Sequence, residues 1–198
     1  MKFKFILLFF WMISFSAVGK TVLFLGDSLT EGYQLPKEEA YPAVIEKELK
    51  QKFPDLKVIN GGVSGATSAS GLKRLDWYLK AAPDIMVLAL GANDGLRGLN
   101  PKETEKNLSL TIEKAKSRGI TIILAGMKMP PNYGEKYRLE FEKVFENLAK
   151  KYQLRFIPFL LEGVGGISNL NLPDGIHPNK KGHEMMAKTV IKVLEKTL

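Results

Sequence analysis

The chain has 198 residues, 45% of them hydrophobic, with no cysteine and a formal net charge of +8. That length fits one domain with a substantial core, and the missing cysteines exclude disulfides, thiolate metal sites and thiol nucleophiles. Basic residues are interspersed with acids, as in KEEAYPAVIEKELKQK and EKYRLEFEKVFENLAKK, a pattern of solvated helix faces rather than of the basic and aromatic clusters that bind nucleic acid.

The N-terminus carries Lys2 and Lys4, an almost wholly apolar run from Phe5 to Phe15, and Ala17-Val18-Gly19 before Lys20. This is the layout of a secretory signal peptide. The run is shorter than the roughly 17 to 25 residues of a membrane span, although an uncleaved anchor is the rival reading. Residues 1–19 are therefore expected to be a signal peptide and residues 20–198 a single exported domain, periplasmic or secreted, acting as a monomer. Losing Lys2 and Lys4 and no acid lowers the charge from +8 to +6, a balance compatible with weak association with an anionic membrane surface.

Apolar runs and helical patterns then alternate. Strands are expected at Thr21–Leu25, Lys57–Asn60, Ile85–Leu90, Ile120–Ala125 and Arg155–Pro158. Most are continuous apolar runs, which suits strands buried on both faces of a parallel sheet. Pro101 opens a helical segment that stops near Gly119. Tyr137, Phe141, Val144, Phe145, Leu148 and Tyr152 recur at helical spacing, as do Met186, Val190, Val193 and Thr197; both stripes read as core. The alternation predicts a three-layer α/β domain with a five-stranded, mostly parallel sheet. Ligands in such sheets bind at the carboxyl ends of strands. GDSLTEG, GGVSGATS, GANDGLRG and KMPPNYG each follow a strand, so these loops share one rim.

Ser28 stands at the first strand's end. A serine hydroxyl is a poor nucleophile until a base takes its proton, and the chain offers two histidines. His183, inside the final amphipathic helix, reads as a surface residue. His177 lies in PDGIHPN, where Gly175 and Pro178 hold a turn and Pro178 is placed to begin the last helix. Asp174 precedes it by three residues, a spacing that can bring a carboxylate under the imidazole to accept the Nδ1 proton. The plainer alternative is a capped turn with a space-filling histidine.

Acyl transfer also needs donors for an oxyanion. The Asn93 side-chain amide, the Gly65 backbone N–H and the Ser28 N–H are candidates, each worth roughly 3 to 4 kcal/mol when properly aimed. Asn and Gly also favour turns without any such role. For substrate contacts the candidates are Leu96 and Leu99, with Arg97 beside them for an anionic head group, and Met129, Pro131 and Tyr133 in the loop after the fourth strand, where flexible and aromatic side chains suit a variable acyl chain.

Together, Gly26-Asp27-Ser28-Leu29-Thr30, Gly65 in its glycine-rich loop, Gly91-Ala92-Asn93-Asp94 and Asp174-Gly175-Ile176-His177-Pro178 resemble the four blocks of the GDSL (SGNH) hydrolase family, in order over residues 20–198. GANDGLRG and PPNYG are similar to its small bacterial acyl-CoA thioesterase, lysophospholipase and arylesterase members. The resemblance implies a flavodoxin-like sheet, Ser28 as nucleophile, Asp174 and His177 as acid and base, Gly65 and Asn93 as oxyanion contributors, and no required metal or organic cofactor. Asp27, the neighbour of Ser28, is expected to organise the turn. Ser64 is the rival nucleophile but lacks G-x-S-x-G spacing. The implied activity is a serine esterase acting on carboxylic esters and possible thioesters. A carbohydrate O-acetyl esterase of the same fold is the alternative. A noncatalytic phosphate- or nucleotide-binding module is the alternative of another class, although G-x-x-x-x-G-K-[ST] and G-x-G-x-x-G are both absent.

Overall fold

A computed structural model describes residues 19–198; all of the expected signal peptide but Gly19 lies outside these described residues. From Thr21 onward, strands and helices alternate: β1 (Thr21–Gly26), α1 (Ser28–Glu31), α2 (Tyr41–Leu49), β2 (Lys57–Gly62), α3 (Gly71–Tyr78) and β3 (Ile85–Ala89). Next come α4 (Ala92–Leu96), α5 (Pro101–Ser117), β4 (Thr121–Ala125), α6 (Glu135–Tyr152), β5 (Arg155–Ile157) and α7 (Lys180–Leu194).

All strand pairs are parallel, in the order β2-β1-β3-β4-β5. The sheet is therefore wholly parallel rather than mostly so. Val22–Leu25 and Ile85–Ala89 are buried throughout, because helices cover both faces and no alternate position meets water. Right-handed crossovers send α2 to one face and α3, α5 and α6 to the other, and α2 packs on α7, α3 on α5, and α5 on α6. From β1 the chain crosses to β2 on one side and then returns to β3 on the other. The crevice beyond the carboxyl ends of β1 and β3 is thus the switch point at which such sheets bind ligands.

Several boundaries move. β2 runs on to Gly62, where a Cβ would lie 2.1 Å from the Glu31 nitrogen; only glycine lets α1 sit this close. β5 stops at Ile157. The last helix begins at Lys180 rather than Pro178, capped by Asn179, whose Oδ1 accepts the Gly182 N–H at 3.2 Å. Its inner stripe is Met186, Val190 and Leu194, with Thr197 beyond its end. No helix among the described residues is long and apolar enough to cross a membrane.

His183 corrects the sequence reading. It is buried, and its Nδ1 accepts the Tyr41 backbone N–H at 3.1 Å. The reason lies in another element. Ala40 precedes α2 and has no side chain to cap it, so the first N–H of α2 needs an outside acceptor, and the imidazole of α7 supplies it. Burial lowers the His183 pKa to about 4. The ring is therefore neutral, and its accepting Nδ1 assigns the proton to Nε2.

Candidate active site

β1 ends at Gly26, and the chain turns at once into α1. Asp27 caps the helix, its Oδ1 accepting the Leu29 N–H at 3.0 Å. A Cβ at Gly26 would lie 1.9 Å from Thr30 Oγ1, so this turn tolerates only glycine. Burial raises the Asp27 carboxyl to about 7, against the opposing Leu29 N–H and the Arg74 charge. Asp27 thus organises the turn, as expected, and Ser28 is left in the first helical turn, where its own N–H has no intrahelical acceptor.

At the other end of the chain, the loop before α7 folds back on itself. Leu172 N–H donates to the His177 carbonyl at 2.7 Å and Gly175 N–H to the Leu172 carbonyl at 2.9 Å, with Gly175 at φ +73°. Asp174 Oδ1 accepts the N–H groups of Ile176 and His177, both at 3.0 Å. Its Oδ2 lies 2.7 Å from His177 Nδ1, and His177 Nε2 lies 3.0 Å from Ser28 Oγ. Desolvation pushes the Asp174 carboxyl up, but the His177 N–H, the imidazole and the Ile176 N–H outweigh it and hold the group below its ordinary value. An ionised carboxylate that accepts from Nδ1 leaves Nε2 free to take a hydroxyl proton. Ser64, the rival nucleophile, donates its hydroxyl to Glu31 instead.

Gly65 and Asn93 arrive on the loops beyond β2 and β3. Gly65 takes φ +76° in a turn closed by Ala66 N–H to the Val63 carbonyl at 3.1 Å, a conformation that strains other residues. Asn93 lies in α4, and its Nδ2 donates to the Ala66 carbonyl at 3.1 Å. One amide hydrogen is thereby used, and the other is left for a ligand. Beneath them the buried Asp94 accepts the Ser68 N–H at 2.8 Å and the Ser68 hydroxyl at 2.5 Å.

Ser28, Gly65, Asn93 and His177 all line one cavity of about 780 Å³. Of the expected substrate contacts, Leu96, Met129, Pro131 and Tyr133 line it, whereas Arg97 and Leu99 do not. Arg97 Nη2 donates instead to the Gly65 carbonyl at 2.9 Å. Tyr133 is fixed by its hydroxyl, which donates to the Leu96 carbonyl at 3.0 Å.

Sequence reasoning missed further lining residues, Phe159, Leu161, Gly165, Gly166 and Ile176. These residues carry no chemistry-bearing groups, and their approach to Ser28 depends on the long return from β5 to α7. It also missed Tyr33, whose ring centroid lies 4.4 Å from that of His177. The sole hint was its place just after Gly32, the left-handed cap of α1.

A match to the GDSL-like Lipase/Acylhydrolase family covers residues 24–185. The chain is 38% identical to an arylesterase of Vibrio mimicus, over 98% of this chain and 97% of the relative. It is 35% identical to the thioesterase 1/protease 1/lysophospholipase L1 of Escherichia coli strain K12, over 95% and 90%. The psychrotrophic esterase EstA from Pseudoalteromonas sp., solved in a form inhibited by monoethylphosphonate, superposes with a TM-score of 0.85 at 31% identity, over 90% of this chain and 98% of that one. With the end of β1, the Ser28 turn and the His177 loop inside the matched span, the chain belongs to the GDSL-like lipase/acylhydrolase family.

Proposed function

We propose that this serine esterase works by two-step acyl transfer, with Ser28 as nucleophile, His177 as general base and then acid, and Asp174 as the group that orients the imidazole. The observation that carries the reading is the unbroken relay from Asp174 through His177 to Ser28, at 2.7 and 3.0 Å. His177 Nε2 accepts the Ser28 proton as Oγ bonds to the ester or thioester carbonyl carbon. The carbonyl oxygen takes the negative charge and meets the Ser28 and Gly65 N–H groups and the free Asn93 amide hydrogen. As the carbon–oxygen or carbon–sulfur bond breaks, His177 returns its proton to the leaving alcohol or thiol. Water then enters and gives a proton to His177 as its oxygen bonds to the acyl carbon; the acyl–Oγ bond breaks, His177 returns that proton to Ser28 Oγ, and the acid leaves.

Leu96, Met129, Pro131 and Tyr133 form an apolar wall suited to an acyl chain. This space exceeds what an acetyl group fills, which favours longer acyl esters over a sugar O-acetate. The arylesterase and lysophospholipase names of the relatives agree with that substrate class. We also assign residues 1–19 to an export signal. Lys20 already belongs to the folded body, since its carbonyl accepts the Lys57 N–H at 3.0 Å and its Nζ donates to the Thr197 carbonyl at 2.9 Å.

The test is Ser28→Ala with a phosphonate label. Hydrolysis of p-nitrophenyl esters should fall by about 10⁴-fold or more, with an unchanged melting temperature, and the wild-type adduct should map to Ser28. Octanoate should outpace acetate. Undiminished activity in the variant, or an adduct elsewhere, rejects the assignment; a steep preference for acetate moves the substrate to the O-acetyl class.

A further inference from the structure

The proposed oxyanion donors sit apart, Gly65 in the loop after β2 and Asn93 in α4 after β3, so their separation is not set by either strand ladder. One residue bonds to both of them. The Arg97 backbone N–H donates to the Asn93 carbonyl at 3.2 Å, and Arg97 Nη2 donates to the Gly65 carbonyl at 2.9 Å. Gly65 is the residue with least intrinsic restraint here: it holds φ +76°, and a Cβ on it would meet only Arg97 Nη2, at 3.6 Å. Its neighbours are tied independently, Ala66 by the Asn93 amide and Ser68 by Asp94. Gly65 itself is restrained through its carbonyl by Arg97. The guanidinium forms no ion pair among the described residues and does not line the cavity.

An oxyanion hole accelerates a reaction because its donors are already aimed when charge develops; a donor that swings gives back part of the gain in reorganisation. We propose that Arg97 is a positioning residue of the oxyanion hole, a tether that fixes the Gly65 N–H relative to the Asn93 amide, rather than a contact for a substrate head group. The proposal rests on the acyl-transfer reading above and adds to it a residue outside the cavity. Because Ala66 and Ser68 remain tied without it, losing the tether should loosen Gly65 and leave the fold intact.

The purified chain is assayed with p-nitrophenyl octanoate as wild type, Arg97→Met and Arg97→Lys. Methionine keeps the length and removes the donors, whereas lysine keeps a donor and can partly restore the bond. Removing an oxyanion donor outright costs about a hundred- to a thousandfold, so a donor merely loosened in Arg97→Met should cost about tenfold in kcat. KM should change by less than about twofold, since ground-state contacts are untouched. The rate of Ser28 phosphonylation should fall by the same factor as kcat, and Arg97→Lys should recover most of both. An unchanged kcat in Arg97→Met overturns the proposal. So does a raised KM at constant kcat, which would return Arg97 to head-group recognition. If Arg97→Met melts early, Arg97→Lys decides: recovery of kcat together with KM at the wild-type value supports the tether, and a loss equal to that of methionine overturns it. Retained activity in Ser28→Ala would sink the acyl-transfer reading itself, a result these variants do not mimic.

Discussion

Tyr33 follows Gly32, the left-handed residue that closes α1, and its N–H donates to the Ser28 carbonyl at 3.1 Å. The turn that closes α1 therefore sets a ring against the imidazole, five residues after Ser28, the proposed nucleophile. When His177 takes a proton, that aromatic face meets a cation, an interaction worth about 0.5 to 1 kcal/mol at a partly exposed position. Tyr33→Leu should accordingly lower kcat about two- to fivefold while Tyr33→Phe leaves it unchanged; equal activity in both variants would make the ring a bystander. Asp174 and His177 were readable in the sequence because their contact is local, made within one turn around Gly175. Tyr33 was not readable, because nothing in GDSLTEGY says what lies across from its ring. The Arg97 bond to Gly65 was unreadable for a related reason: its neighbours Leu96 and Gly98 give no sign that a carbonyl from the β2 loop lies within reach.

Helix α7 brings the second histidine under α2, where it caps an amide that α2 cannot cap for itself. The capping bond needs a neutral imidazole. With a folded pKa of about 4 against 6.5 for the free side chain, the unfolded chain binds the proton first as pH falls. This stability is full above pH 6.5 and is lost as pH falls through 4. Between pH 7.5 and 4.5 the loss should reach about 2 to 3 kcal/mol. The buried Asp27 works in the opposite sense. Its carboxyl is raised to about 7, so its contribution is full below pH 3.8 and is lost as pH rises through 7. Comparing wild type with His183→Gln by urea unfolding at each pH isolates the histidine: the gap between them should shrink by about that amount on acidification, and a pH-independent gap would refute it. The sequence pointed to this helix and its inner stripe through periodicity, yet placed His183 outside. Burial of a polar ring depends on an acceptor-hungry amide 142 positions away, which periodicity does not register. The unbroken apolar strands β1, β3 and β4 were legible for the converse reason, since sequence alone shows a run with no polar face.

At the scale of the whole molecule, the order β2-β1-β3-β4-β5 gathers the β1, β2 and β3 loops at one rim. The return from β5 supplies further lining residues of the same cavity. Four quoted blocks thus became one site because parallel strands all end on the same edge. The apolar wall from Phe159 to Gly166 escaped notice because it belongs to no strand and no motif. The body beginning at Lys20 sets the prediction at this scale. Protein recovered from expressing cells should begin at Lys20 on N-terminal sequencing and lie in the extracytoplasmic soluble fraction, with any membrane-bound share released by salt. A chain that keeps Met1 and resists a salt wash would assign the first nineteen residues to an anchor.

The bond between Ser28 and His177 joins positions 149 residues apart. Until the last loop has left the ribosome and docked, the serine has no partner to activate it. By the proposed mechanism, an unfinished or still-threaded chain is inert toward esters. If the protein crosses a membrane unfolded, the compartment that makes it is spared its chemistry, and hydrolysis starts only where the two distant pieces of chain finally meet.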